Sequence, residues 1–215
     1  MTYDVDTIIA LFEDFDDCDP YDMLSEFRRE HRKEGWRFSS GETRCVIYHD
    51  SWDFVIKVDR NYDAQFYCAV EVRNYQKAEQ YRVQQVLLPI SKVCEVNGWK
   101  LYKQTRFDCQ YASRDYRGGK FQRECEKVKR NYRTIEHFVS SLDRLDPNWL
   151  ARVVQLYGKR FANSLCEWAG ECEVGDLHHN NIGFAKGKPI ILDFAGYFEG
   201  YDCLPMWAYK IIENF

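Results

Sequence analysis

Three short segments rich in β-branched and aromatic residues follow one another between residues 36 and 60, with only turn residues between them. They are Trp36–Phe38, Cys45–Tyr48 and Phe54–Val58. This composition is typical of strands, and the Ser-Gly and His-Asp-Ser stretches between them are typical of turns. The first half of the chain is therefore predicted to be rich in β-structure.

A hairpin and several helices complete the pattern. Asn97-Gly98 separates two apolar segments, 92–96 and 99–105, and this dipeptide is a strong hairpin signal. Apolar residues recur at helical spacing in four places, which are 4–33 (two short helices separated near Asp19-Pro20), 63–84, 131–145 and 147–170. Asp63 is the expected N-cap of the second of these. Two short strands surround a turn at 186–189, and the fold class is predicted to be α+β.

Composition excludes several classes of protein. Hydrophobic residues make up 45% of the 215 residues and aromatic residues 16%, which argues against intrinsic disorder. The net charge of −4 argues against a nucleic-acid or anionic-membrane partner. No apolar run approaches the roughly 20 residues of a transmembrane helix, and the acidic segment Met1–Asp22 does not resemble a secretory signal, so a cytoplasmic location is expected. The nine cysteines include no Cys-x-x-Cys pair, which favours reduced thiols over a zinc site.

Two segments carry an unbalanced charge. Residues 1–35 contain 11 acidic and 4 basic residues, and residues 114–133 contain 8 basic and 3 acidic residues. A solvated helix face explains either segment. The alternative for 114–133 is a docking surface for an acidic partner, which could be the chain's own N-terminus. The alternative for 1–35 is an inhibitor that mimics acidic nucleic acid.

Polar residues in three separate places fit the chemistry of phosphoryl transfer. That reaction depends on positioning and charge neutralisation. Lys57 ends an apolar strand and could orient phosphates, while Glu71 on the next helix could hold it, with Glu79 as the alternative. Asn181 and Asp193 flank a short hairpin and offer oxygen ligands for Mg²⁺. Asp176 lies five residues before Asn181 and could accept a proton from an attacking hydroxyl.

These motifs resemble the protein-kinase-like superfamily. Members carry a strand lysine in Val-Ala-Ile-Lys, a helix glutamate, an Asp-x-x-x-x-Asn loop and Asp-Phe-Gly. Here Val55–Lys57, Glu71, Gly175–Asn181 and Leu192–Phe194 follow in the same order. The loop Gly-Asp-Leu-His-x-x-Asn is similar to that of aminoglycoside phosphotransferases and of the short atypical kinases of bacteriophages and bacteria. The resemblance covers about residues 36–196.

The resemblance implies a two-lobed protein-kinase-like fold that binds ATP and Mg²⁺ between its lobes. An N-terminal helical extension over 1–35 would precede a β-rich N-lobe over 36–106 and a shortened helical C-lobe over 107–215. The implied catalytic residues are Asp176, Lys57 and Glu71, and the implied metal ligands are Asn181 and Asp193. The implied nucleotide contacts are Ser40, Gly41, Lys57, Tyr102 and Gln104.

The sequence departs from the family in ways that leave the function open. The glycine-rich loop is reduced to Gly41, and Asp-Phe-Gly reads Asp193-Phe194-Ala195. Only 19 residues follow Gly196, and no Ala-Pro-Glu is found among them. The first expectation is a minimal protein Ser/Thr kinase with a protein substrate. The alternatives are a small-molecule phosphotransferase and a pseudokinase that acts as a regulatory binding module.

Overall fold

The computed structural model describes residues 4–107, 110–111, 147–174, 177 and 181–195. It confirms the α+β class, since helices accompany a five-stranded and a three-stranded sheet. The chain divides into two compact units. Unit 1 comprises Met1–Arg73 and Pro89–Phe107, and unit 2 comprises Asn74–Leu88 and Asp108–Phe215.

The large sheet belongs to unit 1, and its strands contain the predicted ones. The bounds are β1 Trp36–Ser40, β2 Arg44–His49, β3 Phe54–Asp59, β4 Ile90–Val96 and β5 Trp99–Thr105. Neighbouring strands are antiparallel in the order β1-β2-β3-β5-β4. The predicted hairpin is confirmed, with φ of 47° at Asn97 and 79° at Gly98. A Cβ at Gly98 would also lie 2.1 Å from the Tyr62 hydroxyl, so this turn requires glycine.

One face of this sheet forms the core of unit 1. Burial alternates along β2, so Cys45 and Ile47 point to the same side. The predicted pair of N-terminal helices is confirmed as α1 Val5–Glu13 and α2 Tyr21–His31, followed by a 3₁₀ turn at Arg32–Glu34. Both helices contribute to one buried cluster with the sheet, whose members include Ile8, Phe12, Leu24, Trp36, Ile47, Trp52, Ile56, Trp99 and Leu101.

The opposite face of the sheet carries polar side chains. In the register, Lys57 lies opposite Tyr102, and Arg44 lies opposite Asp59. Directly opposed residues project from the same side of a sheet, and so do residues two apart on one strand, such as Lys57 and Asp59, so these four belong to one face.

The helix that follows β3 begins later than predicted. Helix α3 spans Tyr67–Tyr81, after a 3₁₀ turn at Tyr62–Ala64 that contains Asp63. The prediction that Asp63 is the N-cap is therefore wrong. The Cys68 N–H of the first turn of α3 instead donates to the Asp59 carboxylate, at 3.2 Å to Oδ1. A carboxylate from the preceding strand thus fills the role that a local N-cap would have.

Unit 2 has a small sheet and a long helix. Strands β6 Gln110–Tyr111, β7 Ile182–Ala185 and β8 Lys188–Ile191 are antiparallel in that order, and helix α4 spans Pro147–Glu171. Gly158 interrupts α4 with φ 83° and ψ 166°, so the continuous helix predicted over 147–170 is wrong at this point. Only glycine adopts this backbone region readily. The helix predicted over 131–145 lies outside the described residues.

Large aromatic side chains fill the core of unit 2. Trp149, Trp168, Phe184 and Phe194 are almost completely buried. The indole N–H of Trp149 donates to the Gly183 carbonyl at 3.0 Å, which satisfies a polar group inside this core. Across the described ranges, no helix combines the length and apolarity that crossing a membrane requires.

Candidate functional site

Lys57 and Glu71 form a buried ion pair in unit 1. Lys57 projects from β3, and its Nζ donates to Glu71 Oε2 of α3 at 2.5 Å. The side chains are 5% and 0% exposed. The expected contact between the strand lysine and the helix carboxylate is confirmed, and Glu71 rather than Glu79 makes it.

Arg44 is a third member of this cluster, which sequence reasoning missed. Its Nη1 lies 3.3 Å from the same oxygen of Glu71, and its side chain is 12% exposed. Its guanidinium also lies over the Tyr67 ring, 5.8 Å from the ring centre. One carboxylate oxygen therefore faces two cations. The signal that could have found Arg44 is the strand register, since pairing β2 with β3 places Arg44 opposite Asp59, two residues after Lys57.

Asp59 is buried beside these charges, with 1% of its surface exposed. Burial raises the pKa of its carboxyl group, and the Cys68 N–H and Arg44 oppose this rise. Burial also raises the pKa of the Cys68 thiol well above its usual value and that of Tyr102 to about 12. Both groups are therefore uncharged at neutral pH.

Of the predicted nucleotide contacts, Ser40 ends β1 and Gly41 follows in the turn to β2, and both residues are exposed. Gly41 donates its N–H to the Arg44 carbonyl at 2.9 Å, and nothing lies within 4 Å of where its Cβ would be. Three predicted contacts remain: Lys57 of the ion pair, Tyr102, which is opposite Lys57 in the register, and Gln104, which is buried opposite Val55.

Arg60 links the turn between β1 and β2 to the segment that joins α1 and α2. Arg60 Nη1 donates to the Gly41 carbonyl at 3.3 Å, and its backbone N–H donates to the Thr43 carbonyl at 2.9 Å. The same guanidinium pairs with Asp19, which lies between α1 and α2, at 2.6 Å. Sequence reasoning missed this contact because the two partners are 41 residues apart.

The predicted metal ligands Asn181 and Asp193 lie at the same end of a hairpin in unit 2. Ile182 pairs with Ile191, and the Leu192 N–H donates to the Asn181 carbonyl at 2.7 Å. The expected hairpin is confirmed, although its turn is only Lys186-Gly187 rather than four residues. The carboxylate Oδ1 of Asp193 accepts the Ala195 N–H at 3.3 Å, which fixes its orientation.

Asn74 positions the chain directly after Asp193, and sequence reasoning did not identify it. Its buried side-chain amide donates to the carbonyl oxygens of Phe194 at 2.8 Å and Ala195 at 3.3 Å. The backbone carbonyl of Asn74 accepts the indole N–H of Trp168 at 3.0 Å. A single asparagine in a helix has no sequence signal that distinguishes this role from a surface position.

Asp176, the predicted base, lies outside the described residues, as do Gly175 and residues 178–180. Leu177 of the same motif is described and buried. In the part of the chain that the structure covers, no group of three or more His, Cys, Asp or Glu side chains is placed to hold a metal ion. Asn181 and Asp193 are oxygen donors of the kind that Mg²⁺ accepts when phosphate oxygens and water complete its shell.

No protein-family model matches the sequence, and no curated protein is significantly similar to it.

Proposed function

We propose that this protein is a small ATP- and Mg²⁺-dependent phosphotransferase with a reduced, two-lobed protein-kinase-like fold. It transfers the γ-phosphoryl group to a hydroxyl, for which a Ser or Thr of another protein is the first choice and a small molecule the second. The observation that carries the proposal is the buried Lys57–Glu71 ion pair on one face of the sheet of unit 1.

The burial of this ion pair favours function over stability as its reason. Removing two ions from water costs several kcal/mol each, and a well-packed apolar pair of similar volume is often as stable or more stable. Lys57 and Glu71 are at most 5% exposed, so both have lost their hydration. Buried ionic groups with defined partners are enriched at functional sites. A lysine held rigidly by a carboxylate suits the neutralisation of phosphate oxygens.

The oxygen donors in unit 2 suit the metal. Mg²⁺ in nucleotide sites is held by one or two protein oxygens together with phosphates and water. Asp193 would be the charged ligand and Asn181 the neutral one, while Asn74 keeps the chain after Asp193 in place. Mg·ATP, when bound, brings the phosphoryl group to be transferred and the charge that the metal offsets.

Asp176 completes the proposed machinery. Its carboxylate would orient the acceptor hydroxyl and accept its proton late in the transfer. On the adenine side, backbone groups near Tyr102 and Gln104 would contact the base.

A pseudokinase is the second candidate, because the turn between β1 and β2 contains a single glycine. Glycines in this loop let backbone N–H groups approach the phosphates closely. Here the Gly41 N–H is used within the turn and Arg60 holds its carbonyl. Such a turn suits a regulatory module that keeps the fold without turnover.

Two measurements on the full chain separate these readings. Calorimetry with Mg·ATP tests nucleotide binding, and incubation with γ-³²P-ATP, Mg²⁺ and a cell lysate tests transfer and reveals the acceptor class. Binding with transfer supports the phosphotransferase. Binding without transfer to any protein or small hydroxyl compound supports the pseudokinase, and absence of nucleotide binding overturns the proposed phosphotransferase.

A further inference from the structure

We infer that Arg44 is a second phosphate-binding residue, which acts together with Lys57 on the terminal phosphates of the nucleotide. This inference rests on the proposed function, and it adds a residue to the nucleotide site that the sequence motifs do not contain. Three observations carry it: the position of Arg44 on the sheet, the sharing of Glu71 and the hydrogen bonding of the adjacent turn.

Arg44 and Lys57 project from the same face of the sheet and approach the same carboxylate. Arg44 begins β2 and lies opposite Asp59, on the face from which Lys57 also projects. The two cations converge on one atom, since Lys57 Nζ lies 2.5 Å and Arg44 Nη1 3.3 Å from Glu71 Oε2. A phosphate oxygen that reaches Lys57 from this face is therefore within a short distance of the guanidinium as well.

The two cations lie nearer to solvent than the carboxylate that they share. One oxygen of Glu71 faces both cations, and the buried Asp59 carboxylate accepts the Cys68 N–H of α3. Glu71 is completely buried, whereas Arg44 and Lys57 retain 12% and 5% exposure. A ligand that arrives from solvent meets the cations before the carboxylate.

The turn that precedes Arg44 explains why a side chain is needed. In kinase-like sites, the backbone N–H groups of a glycine-rich loop hold the phosphates. Here the N–H of Gly41, the only glycine of the turn, donates to the Arg44 carbonyl at 2.9 Å. A guanidinium offers five N–H donors in a planar fork that matches phosphate oxygens. Arg44 can thus replace donors that the turn has lost.

The test compares Arg44→Gln with the wild type in calorimetry with Mg·ATP, adenosine and inorganic tripolyphosphate. We expect the affinity for Mg·ATP and tripolyphosphate to fall about 10- to 100-fold, as for the loss of one charge-assisted hydrogen bond. The affinity for adenosine stays the same because adenosine has no phosphates. The matched control is Arg37→Gln, which removes a strand arginine whose ion pair with Asp50 is on the surface, and it should change none of the three affinities.

Several outcomes overturn the inference. Unchanged affinity for Mg·ATP in Arg44→Gln shows that Arg44 only holds Glu71, and an equal loss for Mg·ATP and adenosine shows a general structural role. If Arg44→Gln does not fold, Arg44→Met decides, because it also removes the charge: a selective loss of Mg·ATP affinity over adenosine supports the inference, and an unchanged Mg·ATP affinity overturns it.

The proposed function can fail separately from this inference. A wild type that binds tripolyphosphate in an Arg44-dependent way but not ATP retains the anion site and refutes the nucleotide function. A wild type that binds ATP with no contribution from Arg44 refutes the inference alone. A wild type that binds neither probe overturns both.

Discussion

Glu71 Oε2 accepts a hydrogen bond from the ammonium group of Lys57 at 2.5 Å, and Arg44 Nη1 lies 3.3 Å from the same oxygen. Loss of Lys57 and loss of Glu71 should therefore have different effects on stability. If Lys57 is lost, Glu71 keeps a cationic partner, whereas loss of Glu71 leaves two cations without the carboxylate that they share.

The first prediction follows from this inequality. Glu71→Gln keeps the shape of the side chain but removes its charge, and we expect the free energy of unfolding to fall by about 3–5 kcal/mol, as for a broken buried ion pair. Lys57→Met should cost clearly less. Urea denaturation of both variants measures the difference, and a Lys57→Met variant as unstable as Glu71→Gln would show that Arg44 does not compensate.

The second prediction concerns Asn74. Asn74→Ala removes the amide that donates to the buried Phe194 and Ala195 carbonyls, which leaves acceptors without this donor. We expect a loss of about 1–3 kcal/mol in the free energy of unfolding. Gln76→Ala, an exposed position of the same helix, is the matched control and should stay close to wild type. Equal stability of the two variants in thermal denaturation would contradict the positioning role of Asn74.

The structure shows how far local patterns determine this fold. The positions of the strands, the Asn97-Gly98 hairpin and the two N-terminal helices were predictable because β-branched and aromatic composition, helical apolar spacing and turn dipeptides act within a few residues. The Lys57–Glu71 contact was predictable because a strand and the next helix bring the pair together over 14 residues.

The features that the sequence did not predict depend on distant partners. Helix α3 starts at Tyr67 because the Asp59 carboxylate accepts the Cys68 N–H, and no local N-cap pattern indicates this. The Arg60–Asp19 contact joins residues that are 41 positions apart. Arg44 becomes part of the site only through strand register, which apolar periodicity alone does not fix.

The third prediction uses the raised pKa of Asp59. Because burial raises this pKa above the ordinary value of 3.8, the folded protein binds the proton more tightly than the unfolded chain. The contribution of Asp59 to stability therefore falls as the pH rises from the unfolded pKa through the folded pKa. Asp59→Asn cannot ionise and keeps an oxygen for the Cys68 N–H.

We therefore expect the stability of Asp59→Asn relative to wild type to increase with pH from about 4 upward and to level off above the folded pKa. Chemical denaturation of both proteins at a series of pH values measures this difference. A difference that is independent of pH, or that decreases over this range, would contradict the account of Asp59.

The fourth prediction concerns the metal. Asp193→Asn retains an oxygen for the Ala195 N–H, so the hairpin should fold normally. A carboxylate is a much better ligand for Mg²⁺ than an amide, and we expect the affinity for Mg·ATP to fall strongly. Glu167→Gln, at an exposed position of α4, is the control. Wild-type Mg·ATP affinity of Asp193→Asn in calorimetry would argue against a metal ligand at this position.

The most direct test of the phosphotransferase proposal is the rate of phosphoryl transfer in wild type and Asp176→Asn, with nucleotide affinity and thermal stability measured on the same preparations. If Asp176 is the base, the variant folds and binds Mg·ATP as the wild type does, while transfer falls roughly 10²- to 10⁴-fold. An undiminished rate in the variant would show that Asp176 is not the base. A wild type that binds Mg·ATP but transfers its phosphoryl group to no protein or small hydroxyl compound would contradict the central claim.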